Sequence, residues 1–164
     1  MTSEAYLNEV SDDVRQQALQ VSGLMECSTD ERLQMLVKMT GPMLGVMYCV
    51  LDVMVDGRSL HVASWPNKYT GTMSTSEMSL TCAIVMRRNR LVVISDTDQD
   101  DVLSTYPPFL EHDIHSFLGI PVRSHGDVVG SFSVFDVSVR DWGYYEVNTM
   151  VGLARLAGLS VDRT

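Results

Sequence analysis

The stretch Phe117–Asp136, FLGIPVRSHGDVVGSFSVFD, decides the fold. It predicts two apolar strands joined by the polar turn His125-Gly126-Asp127. Gly126 can adopt the positive φ angle that a tight hairpin requires. Because apolar side chains occur on both faces of each strand, we expect this hairpin to lie in the middle of a sheet.

Two helices are predicted at the N-terminal end. Residues 1–28 carry apolar side chains at three- and four-residue steps, which is typical of an amphipathic helix that packs on its own domain or on a second copy of the chain. A second helix follows the N-cap residues Ser28-Thr29-Asp30. Gly41-Pro42 interrupts it, and because proline removes a backbone donor we expect a kink or a break there. We therefore divide the chain into an N-terminal helix, 1–28, and a single domain, 29–164.

The order of the remaining elements predicts the fold class. Val46–Val55 and Arg58–Trp65 flank Asp56-Gly57, which indicates a second hairpin. An antiparallel sheet with helices segregated to a face, an α+β fold, is the architecture that this order favours. The other elements are a short helix from Leu80, a strand over Leu91–Ile94, a segment 102–115 that Pro107-Pro108 breaks, and a last helix that Gly143 and Glu146 open.

Charge and hydropathy limit the kinds of partner. The 164 residues carry a formal net charge of −9, and the only basic cluster is the short run at 87–90. Nucleic-acid binding requires larger groups of Lys and Arg. No apolar run approaches the roughly 20 residues that span a bilayer, and the polar, acidic residues 1–14 are unlike a secretory signal. We therefore expect neither nucleic acid nor a membrane as a partner.

The cysteines indicate a reducing compartment. Cys27, Cys49 and Cys82 are an odd number at unrelated spacings. This pattern fits a reduced cytoplasmic protein better than a disulfide framework.

Several short segments, in order along the chain, resemble the GAF family of small-molecule sensor domains. The resemblance extends from about the second helix to the end of the chain. The segments are Ser79–Cys82, Leu91–Asp96, Phe117–Val122, Gly126–Gly130, Val134–Asp136 and Leu153–Ala157.

The resemblance implies a GAF-like (PAS-like) sheet of five or six antiparallel strands in the order 2-1-5-4-3. The N- and C-terminal helices would pack on one face, and a short helix with loops would form a pocket on the other. In relatives such a pocket holds cyclic nucleotides, haem, bilins, small anions or metabolites. The positions that map to the pocket are Trp65, Met73, Cys82, Val85, Asp96, Phe109, His112, His115 and Phe117.

The same resemblance implies a function. The chain would be a non-catalytic sensory and regulatory domain in signal transduction, with a small-molecule ligand. It would signal through a helical homodimer to an output module in the same or another chain. A degenerate module that only dimerises remains an alternative.

Cys82 supports a second alternative, a thiol-dependent enzyme of the free methionine sulfoxide reductase type. A helix N-terminus can lower a thiol pKa. Relatives with that activity use several cysteines in this region, whereas this chain has Cys82 alone, so a resolving partner is lacking. A small buried hydrophobic side chain is the favoured interpretation. Bilin binding is disfavoured as well, because Ala83 follows Cys82 and Asp98-Gln99-Asp100 contains no thiol.

The histidines and aspartates allow weaker hypotheses. His112 and His115 have the spacing of a metal pair, and one of them could ligate haem iron in a gas or redox sensor. Two surface-loop histidines are the favoured interpretation, and we expect His61 and His125 to face solvent as well. The aspartates of 96–101 lack the glycine and distal glutamate of a calcium loop, so we expect a solvated loop with one helix-capping Asp.

Overall fold

The computed structural model describes residues 31–55, 58–66 and 80–162. The predicted N-terminal helix over 1–28, its neighbouring N-cap residues, the Asp56-Gly57 turn and Met73 lie outside the described residues.

A five-stranded antiparallel sheet forms the centre of the fold. Its strand order is β2-β1-β5-β4-β3, which confirms the predicted order and the α+β class. The strands are β1 Tyr48–Val55, β2 Arg58–Trp65, β3 Val92–Ile94, β4 Ser116–Ser124 and β5 Asp127–Asp136. The helices are α1 Glu31–Leu44, α2 Leu80–Arg88, α3 Pro107–Glu111 and α4 Tyr144–Asp162, and the 3-10 turns are Thr97–Gln99 and Leu103–Thr105.

The hairpin β4–β5 occupies the middle of the sheet, as the sequence predicts. β5 pairs with β4 on one side and with β1 on the other. Its turn uses two residues with positive φ, His125 at 51° and Gly126 at 85°. Both angles belong to the type I′ turn, whose twist matches that of the flanking strands.

The two faces of the sheet bury different groups. On one face, α1 and α4 cover the largest core cluster, which includes Val37, Leu51, Phe132 and Met150. On the other face, α2 and the segment before β4 cover a smaller cluster that contains Phe109, Phe117 and Phe135. Strand alternation explains the division, because successive side chains of β4 and β5 point to opposite faces.

Helix α1 continues through Gly41-Pro42, so the predicted break is wrong. Pro42 lies in the last turn, where its missing N–H removes a single helical hydrogen bond. The helix ends at Leu44, and the φ of 66° at the next residue, Gly45, suits the left-handed residue that follows a helix.

The prolines before β4 divide the segment 102–115, as predicted. The 3-10 turn ends at Thr105, Tyr106 is extended, and Pro107 and Pro108 begin a separate helix, α3. At these positions an N–H has no helical partner, so proline fits. The opening of α4 matches the prediction, because the Gly143 N–H donates to Glu146 Oε2 at 2.9 Å.

Candidate ligand cavity

A cavity of about 210 Å³ lies on the α2 face of the sheet. Its floor is formed by β1, β2 and the end of β5, and its roof by the first turn of α2 and residues 106–114. The aromatic lining consists of Tyr48, Trp65, Tyr106, Phe109, His112 and Phe135. The polar lining includes Asp52, His61, Ser64 and Thr81.

Asp52 and His61 form a side-chain pair at one end of the cavity. They are opposite each other in the β1–β2 register, next to an irregularity between Leu51 and Asp52. Asp52 Oδ1 and His61 Nδ1 are in hydrogen-bond contact. The Asp52 side chain is 5% exposed and that of His61 is 23% exposed. An acid in the middle of an apolar strand therefore has its partner on the neighbouring strand.

The pair favours the charged imidazole. Burial alone lowers the pKa of His61, but the negative charge of Asp52 and its hydrogen bond together outweigh burial, so the pKa is raised above 6.5. Since Nδ1 is engaged with Asp52, Nε2 is the nitrogen left for a further partner, and it has no hydrogen bond within the described ranges.

Packed aromatic rings hold the roof of the cavity in place. The Phe109 ring meets the edges of Tyr106 at 5.3 Å and of Phe135 at 5.6 Å between centroids. Phe117 stacks on Phe135 at 5.3 Å, and His112 contacts the edge of Tyr48 at 5.8 Å. Edge-to-face and offset-stacked pairs of this kind are the favourable geometries. The ring cluster therefore fixes the segment Tyr106–His112 over the sheet.

Tyr106 brings a neutral phenol to the cavity. Burial raises its pKa, a hydrogen bond with the backbone of Leu80 opposes that change, and the charge of Asp52 raises the pKa further. The hydroxyl therefore keeps its proton at neutral pH.

Three of the sequence-predicted pocket residues, Trp65, Phe109 and His112, line this cavity. Phe117 lies behind the lining, stacked on Phe135, and Val85 packs in the same cluster. Cys82 is fully buried in a separate cluster with Met54, Ala83, Met86 and Val128.

The remaining predicted residues have other roles. Asp96 caps the first 3-10 turn, where its Oδ1 accepts from the Asp98 N–H at 3.0 Å, as expected for a capping aspartate. His115 is within 3.0 Å of an Asp113 carboxylate oxygen and does not join His112 in the cavity lining.

The expectation that His61 faces solvent is wrong, because its side chain is paired with Asp52 in the cavity lining and is only 23% exposed. Sequence reasoning also missed Asp52 and Tyr48. The sequence did carry a signal for the Asp52–His61 pair. Asp52 is the single acid in the apolar strand Tyr48–Val55, YCVLDVMV, and His61 lies on the strand predicted to pair with it. A buried carboxylate requires a partner, and His61 was the available one.

As bounded by the described residues, the cavity is too small for a tetrapyrrole. An apolar cavity of about 150 Å³ accommodates a single benzene ring, and this one measures about 210 Å³. A tetrapyrrole has four rings, whether closed as in haem or linear as in a bilin, and exceeds that volume. Within residues 31–55, 58–66 and 80–162, no three His, Cys, Asp or Glu side chains are grouped to hold a metal ion.

The GAF domain family model matches residues 28–161. The chain therefore belongs to the GAF domain family, sensory domains of signalling proteins.

Solved structures agree with the fold. The GAF domain of an Acinetobacter phosphoenolpyruvate-protein phosphotransferase has a TM-score of 0.69 at 19% identity, covering 93% of this chain and 94% of that chain. The blue-light absorbing form of the PixJ GAF domain from Thermosynechococcus elongatus has a TM-score of 0.62 at 14% identity, with 79% and 82% covered. A type II free methionine-R-sulfoxide reductase from Thermoplasma acidophilum has a TM-score of 0.60 at 13% identity, with 90% and 94% covered.

These neighbours have different activities, so the shared fold leaves the ligand to be argued from the cavity. No curated protein matches the sequence. Among the described helices, none combines the length and apolar character needed to cross a bilayer.

Proposed function

We propose that this chain is a non-catalytic regulatory domain that binds a small molecule in the cavity between the sheet and residues 106–114. The observation that carries the proposal is the cavity itself, with its aromatic walls and the Asp52–His61 pair at one end. A mostly apolar cavity with a few convergent polar groups is the usual form of a small-molecule site.

The cysteines do not support the thiol-dependent alternative. Cys49 reaches the cavity lining, but burial raises its pKa to about 12, so the thiol is protonated at neutral pH. A protonated thiol is a poor nucleophile. Cys82 is buried in its own apolar cluster under α2.

We also propose a homodimer that signals through the outer helices to an output module, in the cytoplasm. Leu156 and Leu159 of α4 are 53% and 54% exposed. Met35, Met39 and Met43 are exposed along α1 at four-residue steps, which places them on one side of that helix. Exposed apolar side chains grouped in this way favour a protein–protein contact.

The binding proposal is tested with a pair of matched substitutions. Val50→Phe adds bulk inside the cavity, and Val93→Phe adds the same bulk on the edge strand β3, where Val93 is 40% exposed. The purified chain is screened against metabolites by thermal denaturation. A ligand at 100 times its dissociation constant stabilises by about 2.7 kcal/mol, which corresponds to roughly 5–10 °C in a domain of this size. We expect Val50→Phe to abolish the shift and Val93→Phe to retain it.

The dimer proposal is tested by light scattering. Leu156→Lys is expected to convert a dimer to a monomer, because a lysine at the centre of an apolar contact must be desolvated. Leu110→Lys, at an exposed position of α3 on the opposite face, is the matched control. A wild-type monomer at high concentration would exclude this arrangement.

A further inference from the structure

The cavity has an aromatic end and a polar end. Tyr48 and Asp52 both point into it from β1, separated by four residues, or about 13 Å along the strand. Phe135 pairs with Tyr48 at the aromatic end. His61 pairs with Asp52 at the polar end. A ligand that fills the cavity thus meets rings at one end and an imidazole at the other.

The polar end presents a hydrogen-bond donor. Asp52 accepts from Nδ1 of the charged imidazole, and the Nε2–H of His61 has no acceptor among the described residues. A carboxylate that fixes one ring nitrogen in this way also fixes the direction of the other. The other titratable side chains in the described lining are Tyr48, Cys49, Tyr106 and His112.

We infer that the cavity binds a small aromatic monocarboxylate, whose ring lies against Phe109 and Tyr48 and whose carboxylate accepts the Nε2–H of His61. This inference rests on the proposed function and names its ligand class. A carboxylate is favoured over a neutral acceptor because a hydrogen bond between two charged groups is about twice as strong. A buried carboxylate also needs a hydrogen-bond donor, and the Nε2–H of His61 supplies one while Asp52 holds the opposite ring nitrogen.

The volume sets the size of this ligand. A single benzene ring occupies a cavity of about 150 Å³, so about 210 Å³ leaves room for a short side arm and one carboxylate.

Three probes of matched shape test the inference by calorimetry on the full chain: phenylacetate, phenylacetamide and phenethylammonium. At about pH 6 we expect phenylacetate to bind about tenfold more tightly than the amide, and the ammonium to bind more weakly than both. The preference for phenylacetate should decline as the pH rises through the raised pKa of His61, because the Nε2 proton is then lost. An ammonium bound to the deprotonated ring would show the opposite dependence.

Three variants test whether the preference for phenylacetate depends on His61. His61→Gln should reduce phenylacetate affinity to that of the amide, whereas His115→Gln, outside the cavity lining, should leave it unchanged. Asp52→Asn keeps the imidazole but removes the carboxylate that raises its pKa. The preference for phenylacetate should therefore decline at a lower pH in this variant. This pH readout remains available if His61→Gln fails to fold.

The outcomes separate the inference from the proposed function. Equal or weaker binding of phenylacetate relative to the amide overturns the inference, as does a preference that survives in His61→Gln. If none of the three probes binds while another metabolite stabilises the chain and Val50→Phe abolishes that effect, the ligand class is wrong and the sensory function stands. If no small molecule binds, both are overturned.

Discussion

The indole ring of Trp65 lies directly against the backbone of Gly41. A Cβ placed on Gly41 would lie 2.6 Å from Cζ3 and 2.7 Å from Cδ2 of this ring. The same indole lines the cavity, because Trp65 ends the edge strand β2. One side chain thus contacts both helix α1 and the proposed ligand site.

We expect Gly41→Ala to destabilise the domain by about 1–3 kcal/mol, because the added methyl overpacks against Trp65. Urea denaturation measures this change. The matched control is Gly152→Ala in α4, where a Cβ would meet nothing within 4 Å. That substitution should stabilise by about 0.5–1 kcal/mol, since alanine is the better helix former. If Gly41→Ala is also stabilising, the contact with Trp65 does not restrict position 41.

The Asp52–His61 pair predicts a pH dependence of stability. The folded pKa of His61 is raised above 6.5, so its contribution is fully present below pH 6.5 and is lost as the pH rises through the folded value. Urea denaturation between about pH 6 and about pH 9 should therefore show a decline in stability that is smaller in Asp52→Asn and in His61→Gln. The stability of the double variant should change with pH as it does in the single variants. A slope that is unchanged in both single variants would contradict this pairing.

Thiol labelling tests the buried cysteines. In a Cys27→Ser background we expect neither Cys49 nor Cys82 to react with a disulfide reagent in the native domain, because both are fully buried. The raised pKa of Cys49, about 12, adds to its protection. Urea should make both thiols reactive. Rapid labelling of Cys82 in the native state would instead favour the thiol-dependent alternative.

Arg140 connects the end of β5 to the end of α1. Its guanidinium donates to the carbonyl oxygens of Leu44 at 3.0 Å and Gly45 at 3.1 Å, and it lies 4.7 Å from the centroid of the Trp142 ring. We expect Arg140→Met to lower the free energy of unfolding by about 1–3 kcal/mol, because the part-buried carbonyl oxygen of Leu44 and the carbonyl oxygen of Gly45 lose their charged donor.

Arg140→Lys should recover only part of this loss, since an ammonium lacks the planar fork that serves two carbonyls. Arg155→Met, at an exposed position of α4, is the control and should change stability by less than about 0.5 kcal/mol. Equal effects at the two positions would mean that the contacts of Arg140 contribute no stability.

The sequence predicted the sheet because its signals were local. Gly126 in a polar turn between apolar runs specifies the central hairpin without reference to the rest of the chain. The outcome at Pro42 depended on its position in the helix. A proline in the last turn removes only one hydrogen bond, so α1 continues to Leu44.

The cavity was harder to predict because it depends on pairing between distant segments. Trp65, Phe109 and His112 were identified through the family resemblance, whereas Asp52 was not identified. The role of His61 depends on the register that sets it opposite Asp52, and that register includes an irregularity at Leu51/Asp52 which strand alternation does not reveal.

The position of Trp65 gives the domain a built-in optical probe. The chain has two tryptophans. The indole of Trp142 is buried away from the cavity lining and donates to the Ile94 carbonyl oxygen at 3.1 Å. A ligand in the cavity would change the surroundings of the Trp65 indole and leave those of the Trp142 indole unaltered. In a Trp142→Phe variant, the emission spectrum would therefore report cavity occupancy directly, without any attached dye.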